Sequence, residues 1–297
     1  MRRSFWSPEG FAPLPSGCAG TPWVHPAAEQ DHTAAFCRLW SLATLPSLPR
    51  ELAIALTPGL FAEWLPQCFA AARRSFRAQG HRTLRLHVRT ARSVRTQAAA
   101  LRTQLRRTLG PTARFLWLAH SKGGVDALQA LHDDPPLAAR CVALVMVQPP
   151  IGASVVIDGW LGLQPAPARR GDALMRRIVA SPWFIGGCRD CSSGRDRRVT
   201  EMLAQQVQPV PVLNVVSWST QPTSWVDSYH ARLNAARPGW AHDGQFYLPD
   251  QCLPGAPIVT LPRLDHAQPV LGGAGLDAAR LWQVLALLAH DVIAHTR

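Results

Sequence analysis

The stretch Arg114 to Leu128, RFLWLAHSKGGVDAL, constrains the fold of this chain more than any other. Phe115 to Ala119 is an apolar run without a charge, as expected of a strand buried on both faces of a parallel sheet. His120-Ser121-Lys122-Gly123-Gly124 breaks the run, and Val125, Leu128 and Leu131 resume it at helical spacing. Strand, corner with a serine at its apex, then helix: this is the geometry of a nucleophile elbow. The turn strains the serine backbone, and neighbouring glycines let strand and helix pass closely. The N–H groups after the serine, at the helix start, are suited to stabilise a developing oxyanion. Position 119 holds alanine where the pattern usually has glycine. A serine that only caps a helix after a strand is the simpler alternative.

Further apolar runs flank this stretch. ELAIAL (Glu51 to Leu56), CVALVMV (Cys141 to Val147), VPVLNVV (Val210 to Val216) and PIVTL (Pro257 to Leu261) read as strands. Thr83 to Val88, with its alternating arginines, reads as a strand nearer an edge. Between them, Trp64 to Ala78 and Ala91 to Leu109 have apolar residues at helical spacing, and Leu276 to Ala294 is a closing helix. This alternation calls for a mostly parallel sheet flanked by helices. Residues 1–50, rich in Pro, Ser and Trp, read as an extension packed on the core, with one helix around Ala34 to Leu42. From 151 to 208 the alternation stops, apart from a helix at Asp172 to Val179. This reads as a cap or lid inserted between two strands. Trp160, Leu161, Leu163, Trp183 and Phe184 are its candidates for lining an apolar pocket, or for gluing the insertion to the body.

A chain of 297 residues is long enough for one α/β domain with insertions. No apolar stretch reaches the ~20 residues needed to cross a bilayer. The basic start has no apolar segment after it, so a secretory signal is not expected and a cytoplasmic location is. The net charge is +12, almost all of it arginine, with Lys122 the one lysine. Attraction to nucleic acid, polyanionic granules or acidic lipid is one reading. The other is codon bias, since the arginines follow the helices and form no single run. On that reading no nucleic-acid partner is expected. Of the seven cysteines, Cys188 and Cys191 form the only CxxC. No second pair stands at zinc-finger spacing, so a local disulfide or two thiols is expected there and no metal.

Loops at the carboxyl ends of parallel strands share one edge, where ligands collect. Three of them carry Ser121, Asp243 or a neighbour, and His266. A serine hydroxyl needs a base of near-neutral pKa, and that base needs a carboxylate to fix its tautomer. Asp250, Asp227 and Asp265 are the alternatives for the acid. His120 and the Lys122 side chain are expected to orient the elbow or face solvent.

These motifs resemble the α/β-hydrolase superfamily, and more narrowly bacterial triacylglycerol lipases and related serine esterases. The resemblance rests on Pro58-Gly59-Leu60-Phe61, His120-Ser121-Lys122-Gly123-Gly124, Asp243-Gly244 and Asp265-His266-Ala267, and spans Glu51 to the C-terminus. It implies an α/β-hydrolase fold and a catalytic triad of Ser121, Asp243 and His266. The oxyanion hole it implies is made by the Leu60 and Lys122 N–H groups, with Pro58 where the family usually has histidine. Phe61, Trp160, Trp183 and Phe184 are the expected substrate-binding residues. The implied reaction is hydrolysis of a small or polymeric ester without metal or cofactor, with a lipid or granule surface as a further partner. A polyester depolymerase or acyltransferase with the same triad, or a non-catalytic binding protein of the same fold, are the competing readings.

Overall fold

The computed structural model describes residues 6, 14, 18–23, 25–87, 89, 91–163, 172–204, 210–221 and 229–293. The uncharged runs form strands because their alternate side chains find apolar partners on both faces. They are β1 (Ala53–Thr57), β3 (Phe115–His120), β4 (Cys141–Val147), β5 (Val212–Trp218) and β6 (Ile258–Pro262). The arginine-bearing Thr83–Arg85 is β2, and it stands at an edge of the sheet. All pairs are parallel, in the order β2-β1-β3-β4-β5-β6. The chain steps outward from β1 to β2, then returns to place β3 on the other side of β1. The carboxyl ends of β1 and β3 therefore flank the topological switch point, where open α/β sheets bind ligands.

The alternation in β3 divides the core. Phe115, Trp117 and Ala119 pack with Leu101, Leu105 and Leu128 of α3 (Val94–Thr108) and α4 (Lys122–His132). Leu116 and Leu118 share the opposite cluster with Phe76 of α2 (Ala70–Ala78) and Trp282 of α12 (Ala278–Leu287). Trp117 also donates its indole N–H to Thr57 Oγ1 at 2.7 Å, so its one polar atom is satisfied in the core. α1 (Thr33–Ser41) lies beside β6 and α12, and Trp6 packs edge-on against its Phe36 and Trp40.

Three helices are shorter than their periodicity predicts. Trp64 to Ala78 divides into a 3-10 turn, Ala62–Trp64, and α2 from Ala70, because Pro66 disfavours helical backbone at Leu65. The helix predicted over Ala91 to Leu109 begins at Val94, where Ser93 caps it. The closing helix ends at Leu287 and continues as a π turn, Leu288–Ile293; Ala294 lies outside the described residues, as do Val88 and Gln208. Between β4 and β5 stand α6 (Val155–Leu161), α7 (Asp172–Ala180), α8 (Ile185–Asp190) and α9 (Arg197–Ala204). Arg195 fastens the root of this segment by donating to the carbonyls of Pro150, Ile151 and Gly152. Cys188 and Cys191 are buried free thiols, with burial pushing Cys188 up to about 12.

Candidate active site

β3 ends at His120 and α4 begins at Lys122, which leaves Ser121 alone at the corner with φ 54° and ψ −136°. A non-glycine residue holds such a conformation only when its surroundings over-determine it. Here Ser121 N–H donates to Val147 O at 2.8 Å, and Gly124 N–H donates to Ser121 O at 2.9 Å. The glycines are required by close approaches. A Cβ on Gly123 would lie 2.5 Å from Pro58 O, and one on Gly59 would lie 2.6 Å from Ser121 Cβ. Alanine suits position 119 because its methyl is buried in the apolar cluster beneath α4.

Ser121 Oγ lies 2.9 Å from His266 Nε2, and His266 Nδ1 lies 2.8 Å from Asp243 Oδ2. Both contacts are buried, with Ser121 and His266 slightly exposed and Asp243 fully enclosed. The second carboxylate oxygen of Asp243 accepts the N–H groups of Gln245 and Phe246, each at 2.8 Å, across the turn that Gly244 makes at φ 97°. His266 N–H donates in turn to Asp243 O at 2.8 Å. The acid and the histidine are thus fixed to each other through backbone and side chain.

The alternative acids are occupied elsewhere. Asp265 Oδ1 accepts the N–H groups of Ala267 and Gln268, just before the short helix α11 (Gln268–Leu271). Asp250 faces Gly152 and Arg237, and burial pushes its carboxyl up to about 6. Asp227 lies outside the described residues, as does Trp225.

Beneath the histidine loop, three consecutive carbonyls are received by three strands. Ser217 Oγ in β5 donates to Leu264 O at 2.9 Å. Gln148 Nε2, just past β4, donates to Asp265 O at 2.9 Å. His120 Nε2, at the end of β3, donates to His266 O at 2.7 Å. Gln148 links the set by a further bond to Ser217 Oγ at 2.6 Å and a contact with His120 at 3.1 Å. A carbonyl only accepts, so the proton of His120 sits on Nε2. Burial, and then the neighbouring His266, push the His120 pKa down to about 3, and the ring is neutral. Sequence reasoning missed Gln148 and Ser217. Their signal was a polar residue at the carboxyl end of an otherwise apolar strand.

The Lys122 side chain is buried and pairs with Asp126 one helical turn on, at 2.6 Å. Burial pushes the Asp126 carboxyl up and the ammonium opposes it. The Lys122 N–H opens α4, where a backbone donor has no intrahelical partner.

No family model matches the chain, and no curated protein matches it in sequence. Solved structures do. A metagenomic carboxyl esterase aligns with a TM-score of 0.65 at 21% identity, over 84% of this chain and 82% of its own. EstA from Clostridium botulinum aligns with a TM-score of 0.57 at 11% identity, over 84% and 90%. The lipase of Staphylococcus hyicus aligns with a TM-score of 0.57 at 10% identity, over 86% and 100%. The chain has the α/β-hydrolase fold.

In this fold a cavity of about 330 Å³ opens at Ser121 and His266. Its walls are mostly apolar. Leu60, Phe61, Leu65, Ile157, Trp160 and Val270 line it, while Gln245 and the two catalytic candidates are among its few polar residues. Of the predicted substrate-binding residues, Phe61 and Trp160 are in the lining. Phe184 stands behind Phe61, with ring centroids 5.8 Å apart. Trp183 is 69% exposed and is not part of the lining, because the turn before α8 directs it to solvent. Leu65, Cys68, Met175 and Tyr229 are lining residues that the sequence did not single out. Among the described residues, no cluster of three or more His, Cys, Asp or Glu side chains is placed to hold a metal ion. Nor is any helix among them long and apolar enough to cross a membrane.

Proposed function

We propose that the chain is a serine carboxylic-ester hydrolase, of esterase or lipase type, acting on esters with an apolar acyl group. The observation that carries this reading is the continuous chain from Ser121 Oγ through His266 to Asp243, with links of 2.9 and 2.8 Å. His266 takes the hydroxyl proton as Ser121 attacks the ester carbonyl, and Asp243 stabilises the imidazolium. The Leu60 and Lys122 N–H groups receive the charge that develops on the carbonyl oxygen. Each such donor contributes on the order of 3 kcal/mol. His266 then returns the proton to the leaving alcohol, and water, activated by the same histidine, releases the acid from the acyl-enzyme.

The apolar cavity supports an uncharged acyl chain, since burying a charge there without a partner is costly. In this reading residues 151–208 act as a cap, because Ile157, Trp160 and Met175 from that segment face the cavity. A series of p-nitrophenyl esters from acetate to palmitate tests the proposal. Hydrolysis by the unaltered chain and none by a folded Ser121→Ala variant is the expected result. Equal hydrolysis by both would end it.

A further inference from the structure

The positive charge of this protein is gathered in one segment of the chain. Between Arg50 and Arg114 lie thirteen arginines and only two carboxylates, Glu51 and Glu63. That segment therefore carries +11 of the net +12, and the other 232 residues are nearly balanced. A compositional bias spread evenly along the chain would put about seven of the 31 basic residues there. Read along the sequence, the arginines form no run; folding brings them together. β2 is an edge strand, α2 leads into it and α3 leaves from it on the opposite face of the sheet. The arginines of α2, β2 and the start of α3 thus lie along this edge, while Arg50, Arg114 and the last turns of α3 stand nearer the amino ends of the strands.

None of the thirteen is buried, and ten are exposed. Arg102 pairs with Asp133 at 3.3 Å and Arg106 with Asp134 at 2.8 Å. Among the described residues these are the only ion pairs the thirteen make. Charge on an edge strand guards against sheet-to-sheet pairing. A strand of three residues needs one or two such charges, and α2 and α3 carry many more.

This basic edge is continuous with the cavity mouth. Arg85 Nη1 donates to Pro66 O at 2.9 Å, between the lining residues Leu65 and Cys68. Trp64, in the same segment, is 51% exposed and stacks on Phe61. Phe184 packs against Trp64 with ring centroids 5.3 Å apart, and the exposed Trp183 precedes it. Exposed tryptophans beside arginines, at the opening of an apolar cavity, match the chemistry of a lipid interface. A nucleic acid would engage the arginines as well, but its bases carry no apolar chain for the cavity.

We propose that the β2 edge is a docking surface for an anionic lipid layer, which it meets with the cavity mouth turned toward the layer. The docking itself stands apart from the chemistry; only its purpose, delivery of an ester held in that layer, rests on the hydrolase reading. The test uses the Ser121→Ala protein, so that nothing is consumed, and phosphatidylcholine vesicles with or without added phosphatidylglycerol. Co-sedimentation is expected with the anionic vesicles alone, and it should weaken as salt is raised from about 0.05 to 0.5 M. An Arg74→Glu/Arg77→Glu variant should bind tenfold or more weakly, given the roughly fivefold contribution of each basic residue near such a surface. Arg38→Glu/Arg198→Glu makes the same change in net charge away from this edge, and should bind within about twofold of the parent.

Four results would overturn the proposal: no binding to anionic vesicles, binding untouched by the α2 variant, equal loss in both variants, or tighter binding to a DNA duplex. Soluble-ester hydrolysis by the unaltered chain is measured separately. A failure of docking therefore leaves the hydrolase reading standing, and the reverse also holds.

Discussion

His120 donates from Nε2 to the main-chain carbonyl of His266 at 2.7 Å, so the residue before the serine holds the residue that would activate it. The bond belongs to a row of three, in which β3, β4 and β5 each supply a donor to the loop from Leu264 to His266. A parallel sheet suits this task, since its strands end side by side and their terminal side chains present a rigid edge. The His266 ring is thereby placed from below by three strands and from the side by Asp243.

Removing one member of the row should cost turnover more than binding. Gln148→Ala deletes the donors to Asp265 O and Ser217 Oγ and leaves buried acceptors unpaired. Misplacement of a reacting group by about 1 Å costs on the order of 10²-fold in rate. We expect kcat on a soluble ester to fall between about 10- and 100-fold, with KM changed less than about threefold. Steady-state kinetics checks this. An unchanged kcat would show that the row is structural only.

The choice of acid can be settled by a pair of variants. Asp243→Asn keeps the shape but removes the charge facing His266, and should lower kcat by about 10⁴-fold. Asp265→Asn should retain most of the activity. Asp265→Ala should lower stability by about 1–3 kcal/mol, the usual cost of leaving buried N–H donors, here those of Ala267 and Gln268, without their acceptor. The reverse pattern of activities would move the acid to Asp265.

Three small-residue positions should respond differently. Gly59→Ala puts a methyl 2.6 Å from Ser121 Cβ, with Ser121 Oγ at 3.0 Å. It should depress kcat/KM at least about 100-fold, through displacement of the nucleophile. Gly123→Ala would collide with the backbone at Pro58 and Thr57, and should destabilise the fold as well. Ala119→Gly restores the usual residue of the motif and removes a buried methyl. Activity should survive there, with a stability loss of about 0.5–1 kcal/mol. Thermal unfolding and ester kinetics on the three variants separate these outcomes.

Acid should weaken the fold through two buried histidines. His120 is pushed down to about 3, and His242 to about 4, mainly by burial and then by a neighbouring histidine ring in each case. His242 accepts the Gly244 N–H at Nδ1, in the turn that carries Asp243. Both folded-state values lie below the ordinary histidine value. The unfolded chain therefore takes up protons that the folded one refuses. Their contribution is complete above about pH 6.5 and falls as pH drops toward 4, by about 1.4 kcal/mol per pH unit for each such histidine. The carboxyls of Asp126 and Asp250, which burial pushes up, act in the opposite sense, so the histidine effect is read by comparison: from pH 7.5 to 5 the urea midpoint of the parent should fall further, or rise less, than that of His242→Gln. The same change in both proteins contradicts this.

The strands were legible because β1, β3, β4, β5 and β6 are buried on both faces, and burial leaves an uncharged run as its trace. Cys141–Val147 is read from the sequence with both of its ends correct. Ser121 and His266 could be found because one follows such a run directly and the other stands in the loop just after one. The rest depends on contacts between distant segments. Gln148 is marked locally only as a polar residue directly after an apolar strand, and its role exists only once β4 and β6 end at the same edge. Trp183 and Trp160 are alike in sequence, yet one faces solvent and the other the cavity. The concentration of arginines between Arg50 and Arg114 is visible in the sequence, but not which of them share the β2 edge, since helices on opposite faces of the sheet meet there only in three dimensions.

The most direct measurement is active-site labelling with a fluorophosphonate, followed by mass spectrometry of the digested protein. A serine activated by His266 should take one adduct, on the peptide that holds Ser121. The His266→Ala variant should take none, as should the urea-unfolded chain. An unlabelled native protein, or an adduct on another serine, would contradict the assignment of Ser121 as the nucleophile.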